Sequence, residues 1–328
     1  MNKMPIILLF GMPRSGTTWI GKIFDSHTKT LYRHEPDTWN KIKQIPLLEK
    51  ADASDKYGTF VSEYIEQFCQ SRDVSINGKL PIFSKQYASF VRQQAFYGSV
   101  LLSGVASKIN PKFKLPVIRP VSLVNTKDYV VVWKSIQLLG RMGVMVNCID
   151  DCKGIHILRH PCGYISSVLS GESKKKFMSY TAASEDYELY QMLVDTVQAK
   201  RYELTLEKLK AMSAEERLAW RWVLFNEKAL DDTKDKENVR VLRYEDMCVN
   251  PVETAKSYFD FCGLEWCEQT AKFLGASTTK DSESYYSVYK NPEKAASKWK
   301  SVLSQPTINA IKNVVQKTLV GKYYIDDF

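Results

Sequence analysis

The feature that most constrains this chain lies close to its N-terminus. Ile6-Ile7-Leu8-Leu9-Phe10 is an unbroken apolar run, the pattern of a short strand buried on both faces of a parallel sheet. Gly11-Met12-Pro13-Arg14-Ser15-Gly16 interrupts it, and Thr17–Ser26 then reads as a helix with Trp19, Ile20, Ile23 and Phe24 on one side. Strand, glycine loop and helix in that order open an α/β fold. The spacing Gly11-x-x-x-x-Gly16-Thr17-Thr18 is that of a phosphate-binding P-loop with Thr17 where the lysine belongs. Loop N–H groups and the helix N-terminus still face an anion. The side chain that reaches the outer phosphates of a triphosphate is gone, and no apolar run ends in an aspartate suited to magnesium. A cation stands earlier in the loop, at Arg14. A glycine pair alone is more often a turn without a ligand. The flanking strand and helix favour phosphate binding here, without triphosphate hydrolysis.

Three later apolar runs repeat the strand pattern. Tyr129–Trp133 ends at Lys134, Ile155–Leu158 at Arg159 and Val239–Leu242 at Arg243. Open parallel sheets bind ligands beyond the carboxyl ends of their strands. The loop glycines, Lys134 and Arg159 should therefore converge on one edge. Residues 41–128 hold several prolines, among them Pro46, Pro81 and Pro111, and read as short helices and loops. Residues 184–231 read as long and helical, with a capping box at Ser213-x-x-Glu216. Pro251 opens a helix to about Cys262, and 305–319 is helical by its spacing of Ile308, Ile311, Val314 and Val315. The expected fold class is α/β: a P-loop-like three-layer fold with a central, mainly parallel sheet and helical insertions. Residues 1–328 form one domain in this reading, with insertions at roughly 36–128 and 171–236.

Composition narrows the class. With 44% hydrophobic and 25% charged residues, long-range disorder is excluded. Ile6–Phe10 falls well short of the roughly 20 residues of a membrane span and lacks a signal-peptide cleavage site. A soluble, cytoplasmic protein is expected. Seven cysteines, an odd number with no C-x-x-C pair, read as free thiols. The net charge of +9 comes from Lys and Arg that read as dispersed, so charge alone chooses no partner.

Pro13-Arg14-Ser15-Gly16-Thr17-Thr18-Trp19 resembles the 5′-phosphosulfate loop of the sulfotransferases that use 3′-phosphoadenosine-5′-phosphosulfate (PAPS). Arg159 to Ser167 resembles the second motif of that family, an Arg at a strand end with Ser eight residues on. Arg243-Tyr244-Glu245-Asp246, Asn250-Pro251 and Phe261-Cys262-Gly263-Leu264 echo a third stretch. The resemblance spans roughly 5–34, 129–170 and 239–300. It implies that Arg14, Ser15, Gly16, Thr17 and Thr18 hold the 5′ end of PAPS, and that Arg159 and Ser167 hold its 3′-phosphate. An Arg fork and a Ser hydroxyl suit that phosphate. Taken alone, Arg159 reads as a surface salt bridge. Trp19 would lie near the adenine, with a core-facing position as the equal alternative. Tyr289-Lys290 and Lys298-Trp299-Lys300 fall in the segment that closes over the nucleotide. The family has Asp where His160 stands.

Sulfonate transfer needs a base for the acceptor. Cytosolic members use a His two residues after a strand-end Lys, but here Lys134-Ser135-Ile136 puts an isoleucine there. Carbohydrate and protein-tyrosine sulfotransferases place a Glu in the stretch matching Tyr32-Arg33-His34-Glu35-Pro36, so the chain resembles that type more closely. Glu35 is the candidate base, with positioning mattering more than basicity beside Arg14 and Lys134. His34 is the runner-up, expected to face away because adjacent strand residues alternate. Lys134 and Arg14 would stabilise the transferring sulfonate. No metal is expected. Lys174-Lys175-Lys176 reads as a solvated loop. The expected reaction is in-line displacement onto a hydroxyl, less readily an amine, of a small-molecule, carbohydrate or peptide acceptor, releasing 3′,5′-adenosine diphosphate. Two other classes stay open: a P-loop small-molecule or nucleoside kinase, and a basic nucleic-acid-binding protein without catalysis. Nucleic acid is not the expected partner, because basic and aromatic residues do not cluster together.

Overall fold

The computed structural model describes residues 4–110, 115–120, 129–173, 181–279 and 291–328. Its centre is a sheet of β1 (Ile6–Gly11), β2 (Thr30–His34), β3 (Val130–Ser135), β4 (Cys152–Leu158) and β5 (Val239–Arg243). All neighbours pair in parallel, in the order β2-β3-β1-β4-β5. The principal helices are α1 (Thr17–Asp25), α2 (Gly58–Gln70), α3 (Phe90–Ile109), α4 (Met142–Cys148), α5 (Pro161–Ser173), α6 (Ala214–Thr233), α7 (Pro251–Phe261), α8 (Glu268–Thr279) and α9 (Gln305–Val315).

Parity along β1 builds the layers. Ile6, Leu8 and Phe10 enter the larger core, with α2, α4, α5, α6 and α9, while Ile7 and Leu9 enter a second core with α1, α7 and α8. Successive strand side chains point to opposite faces, so an all-apolar run requires cover on both. That is the three-layer α/β arrangement expected from the sequence.

Strand register then sets the ligand edge. Leu9 of β1 lies opposite Lys134 of β3 and Ile155 of β4, and His34 of β2 lies opposite Lys134. From β1 the chain runs out to the sheet edge at β2, returns through β3 between them, and crosses to β4 and β5 on the other side. The winding therefore reverses around β1, the place where open α/β sheets form a ligand crevice.

Two local expectations change. The 184–231 stretch is helical but broken into Tyr187–Val194, Val197–Arg201, Leu206–Ala211 and α6. Asp186, Thr196, Thr205 and Ser213 each accept a backbone N–H at a restart, the last completing the capping box. Such side chains compete with the helix interior for backbone donors, which apolar periodicity does not register. In 41–128 the expected short pieces include one long helix, because no proline falls between Pro81 and Pro111 and Ser89 caps α3. All seven cysteines are free thiols. No described helix is long and apolar enough to cross a membrane.

Candidate active site

The loop after β1 is held in a conformation that glycine permits. Gly16 has φ 79° and leads directly into α1. A Cβ placed on Gly16 would lie 2.2 Å from the Tyr244 ring, and one on Gly11 would lie 2.7 Å from the carbonyl oxygen of Ile157. Arg14, also left-handed at φ 73°, completes the turn. No side chain caps α1 and its first turn carries no acidic residue. Its N-terminal N–H groups thus point at the crevice with the positive end of the helix dipole behind them. Ser15 and Thr17 are buried there, and Thr18 is half-buried.

Residues distant in sequence meet beside this loop. Arg14 Nε donates to Ser167 Oγ (3.0 Å), and Arg159 Nη1 donates to the Arg14 carbonyl (2.6 Å). Arg159 Nη2 donates to the Ala295 carbonyl (3.0 Å), and the guanidinium lies over the Tyr244 ring, 4.9 Å from its centroid. The salt bridge that Arg159 would make as an ordinary surface residue is replaced by two carbonyls, and its buried Nε has no hydrogen-bond partner among the described residues. Tyr244 links these parts: it abuts Gly16, supports Arg159 and meets Trp19 edge-on at 6.2 Å. Sequence reasoning assigned Tyr244 no role, although its Arg-Tyr-Glu-Asp context was the available signal. Trp19 itself is buried in the second core and donates from Nε1 to Ser277 Oγ (3.1 Å). Tyr289-Lys290 and Lys174-Lys175-Lys176 lie outside the described residues.

His160 has a structural task. Its Nδ1 accepts the N–H of Cys162 (3.2 Å) in the first turn of α5, and its own N–H donates to Glu245 Oε1 (3.0 Å). An N-terminal aspartate would accept in the same way, so the imidazole takes over a capping role. Trp299 stacks on the ring at 4.5 Å and 8°, with Tyr324 and Phe328 packed around it. Burial, then the charges of Lys300, Arg243 and Arg159, push its pKa down to about 3. Burial likewise lowers His156 to about 4, where Nε2 pairs with Asn226 Oδ1 (2.8 Å). Unfolding lets both rings take a proton near pH 6.5, so below that pH protons favour the unfolded chain. Stability is expected to be full above pH 6.5 and to fall towards pH 4, by at most about 1.4 kcal/mol per pH unit for each imidazole. Urea unfolding at pH 7, 6 and 5 measures this; an unchanged midpoint would contradict it.

The second cluster lies across β1 from Arg159. Lys134 is the penultimate residue of β3, its side chain 1% exposed and ion-paired through Nζ with Glu35 Oε1. The Glu35 N–H donates to the Lys134 carbonyl (2.9 Å), which ties the two strand ends together. Burial lowers the Lys134 pKa, opposed chiefly by Glu35. His34 does not face away as expected: its Nε2 lies 3.8 Å from Glu35 Oε1. Glu35 follows the last residue of β2 with φ 48°, so strand alternation has ended and the carboxylate turns back over the strand. His34 Nδ1 bonds Tyr32 Oη (2.9 Å), and burial, with Lys134, Lys79 and Lys22, holds its pKa well below the usual histidine value.

Asp37 was missed by sequence reasoning. It is buried in the turn after Glu35 and accepts from Trp133 Nε1 (3.1 Å) and Ser135 Oγ (2.7 Å), with burial raising its pKa. It thereby fixes the turn carrying Glu35 to the end of β3. Only its proximity to Glu35 in sequence could have flagged it. Along β2 lies a cavity of about 240 Å³, lined in part by Tyr32, Asn77, Lys79, Phe83, Phe96 and Tyr97.

With this geometry in view, comparison with known families is decisive. A model described as "Sulfotransferase family" matches residues 5–268. The chain belongs to the sulfotransferase family. It is an enzyme, a PAPS-dependent sulfotransferase. The matched span contains the loop, Glu35, Lys134, Arg159, Ser167 and Tyr244. Among solved structures, the chain is similar to the sulfotransferase domain from the curacin biosynthetic pathway, at 14% identity and TM-score 0.44, covering 96% of this chain and 98% of that one. Mouse sulfotransferase SULT7A1 complexed with PAP is 11% identical, with TM-score 0.45 and coverage of 99% and 89%. Sulfotransferase STF9 from Mycobacterium avium is 13% identical, with TM-score 0.42 and coverage of 99% and 77%. The sequence has no match among curated proteins.

Proposed function

We propose that this sulfotransferase moves the sulfonate of PAPS to an acceptor hydroxyl with Glu35 as the base. The observation that carries the reading is the Glu35–Lys134 pair, set at the carboxyl ends of β2 and β3 next to the strand that leads into the glycine loop. The residues beside that strand suit a nucleotide with phosphate at two positions. The uncapped start of α1 and the wedged Gly16 form one cradle, and the buried Nε of Arg159, which has no partner among the described residues, marks another. PAPS, when bound, supplies an activated sulfonate and a nucleotide leaving group.

The loop N–H groups, with Ser15, Thr17 and Thr18, would hold the 5′ end. Arg159, Ser167 and the Arg14 bonded to it would hold the 3′-phosphate, with Trp19 on the adenine side. Among the described residues both side-chain contacts to Glu35 use Oε1, which leaves Oε2 to take the acceptor proton. Lys134 fixes the carboxylate and offsets negative charge developing at the transfer site. His34 remains a second reading, because an imidazole held neutral can accept a proton. The cavity along β2 is the proposed acceptor site, under a roof from 36–128 and 171–236 within one domain. Its aromatic and amide lining suits a small-molecule, carbohydrate or peptide alcohol.

Two measurements test the reading. Thermal unfolding should shift upward with 3′,5′-adenosine diphosphate, and labelled sulfonate should pass from PAPS to one class in a panel of sugars, phenols, tyrosine peptides and aliphatic alcohols. No shift and no transfer would overturn it; phosphorylation of an acceptor by ATP would favour the kinase instead.

A further inference from the structure

The charge surplus is not dispersed as it first reads. Between Val74 and Lys127 stand eight Lys and Arg and no Asp or Glu, so this stretch carries all but one of the chain's +9 charges. The same stretch contains α3, whose buried contacts are few. Only Phe96, Val100 and Ser103 are buried. On a 3.6-residue helix these three share one side. On the opposite side Phe90, Val91, Leu101, Leu102, Val105 and Ile109 are between 45% and 82% exposed. The charged residues of the helix are Arg92 and Lys108, both exposed, whereas Lys85 of the same stretch is buried and ion-paired with Asp25 (3.0 Å) and adds nothing to the surface charge. Ile118, also exposed, is held against it by its N–H bond to Ser99 Oγ (3.0 Å).

An exposed aliphatic face of this length is rare on soluble proteins unless something covers it. Charge decides among the occupants. A second copy would bring two acid-free, strongly basic segments together, and like charges across an interface oppose association. A nucleic acid would match the charge, but it binds through aromatic stacking and phosphate contacts and gives aliphatic side chains nothing to enter. A bilayer with anionic headgroups matches both features: apolar side chains sink below the headgroups while Lys and Arg stay at the phosphates.

We propose that the outward face of α3 docks on an anionic lipid bilayer, with the helix lying in the membrane plane. Docking in this way does not depend on the sulfonate chemistry. Phe96 and Tyr97 of the same helix also line the cavity along β2, so docking would bring that cavity near the lipid surface.

The test uses the full chain in co-sedimentation with vesicles of phosphatidylcholine alone and of phosphatidylcholine with phosphatidylserine. Binding is expected to the mixed vesicles and to weaken steeply with added salt. The double variant Leu102→Asp/Val105→Asp should lose at least about tenfold of that binding, as charges placed in the apolar face must, while keeping its melting temperature, since both side chains are exposed. Equal binding to both vesicle types, or none, would overturn the proposal. So would a concentration-dependent dimer in light scattering that the variant abolishes without lipid, or heparin binding as tight as vesicle binding and insensitive to the variant.

Discussion

Glu35→Gln should lower turnover by about 10²–10⁴-fold, the usual contribution of a positioned base. The amide keeps the size of the carboxylate, so the thermal shift with 3′,5′-adenosine diphosphate should be retained. Lys134→Met should lose comparable activity for a different reason. It strips the Lys134 ammonium from a carboxylate whose side chain is 16% exposed, and removing one partner of a buried pair costs about 3–5 kcal/mol. Chemical denaturation should show both variants destabilised, because Glu35→Gln also leaves a lysine whose side chain is 1% exposed without its carboxylate. His34→Ala distinguishes the two candidate bases. It should keep most turnover, because Oε2 of Glu35 is untouched. Wild-type rates in Glu35→Gln, or a collapse confined to His34→Ala, would remove Glu35 from the role.

Gly16→Ala is the second change expected to have a large effect. At φ 79° a side chain costs about 1–2 kcal/mol by itself, and the added Cβ would also sit 2.2 Å from the Tyr244 ring. Either the loop or the ring must move. Because Tyr244 also lies under the Arg159 guanidinium, both proposed phosphate cradles would be displaced together. Loss of the nucleotide-induced thermal shift is expected, with a lower melting temperature in its absence. Adding Tyr244→Ala should recover part of the stability, by removing the collision, without restoring nucleotide binding, since the support of Arg159 is then gone. Full nucleotide binding by Gly16→Ala would show that the loop does not need its observed shape.

Much of this arrangement was legible in the residues. The strand starting at Ile6, the glycine loop and α1 follow from an apolar run, two glycines and a helical apolar stripe, all signals within a few residues of one another. Lys134 and Arg159 could be placed near strand ends because β-branched runs lead into them. The segmented 184–231 helices were less legible, since Asp186, Thr196 and Thr205 are ordinary polar residues until their side chains are seen capping N-termini. His160 could be recognised as a departure from its family's Asp, but its capping bond could not be inferred from that. The apolar face of α3 is a mixed case. Its acid-free, basic surroundings stand in the sequence, yet nothing there shows that Leu102 and Val105 meet solvent.

By itself, then, the sequence determined the parallel α/β layers, the glycine loop between β1 and α1 and the family, because period, turn chemistry and motif spacing are local properties of a chain. The tertiary structure alone decided that Tyr244 braces Gly16 and Arg159, that Ser167 meets Arg14, and that Asp37 anchors the turn carrying Glu35. Those partners lie between 85 and 228 residues apart in the chain. They meet only because strand register and core packing bring their elements to one edge of the sheet, and no local pattern encodes that distance.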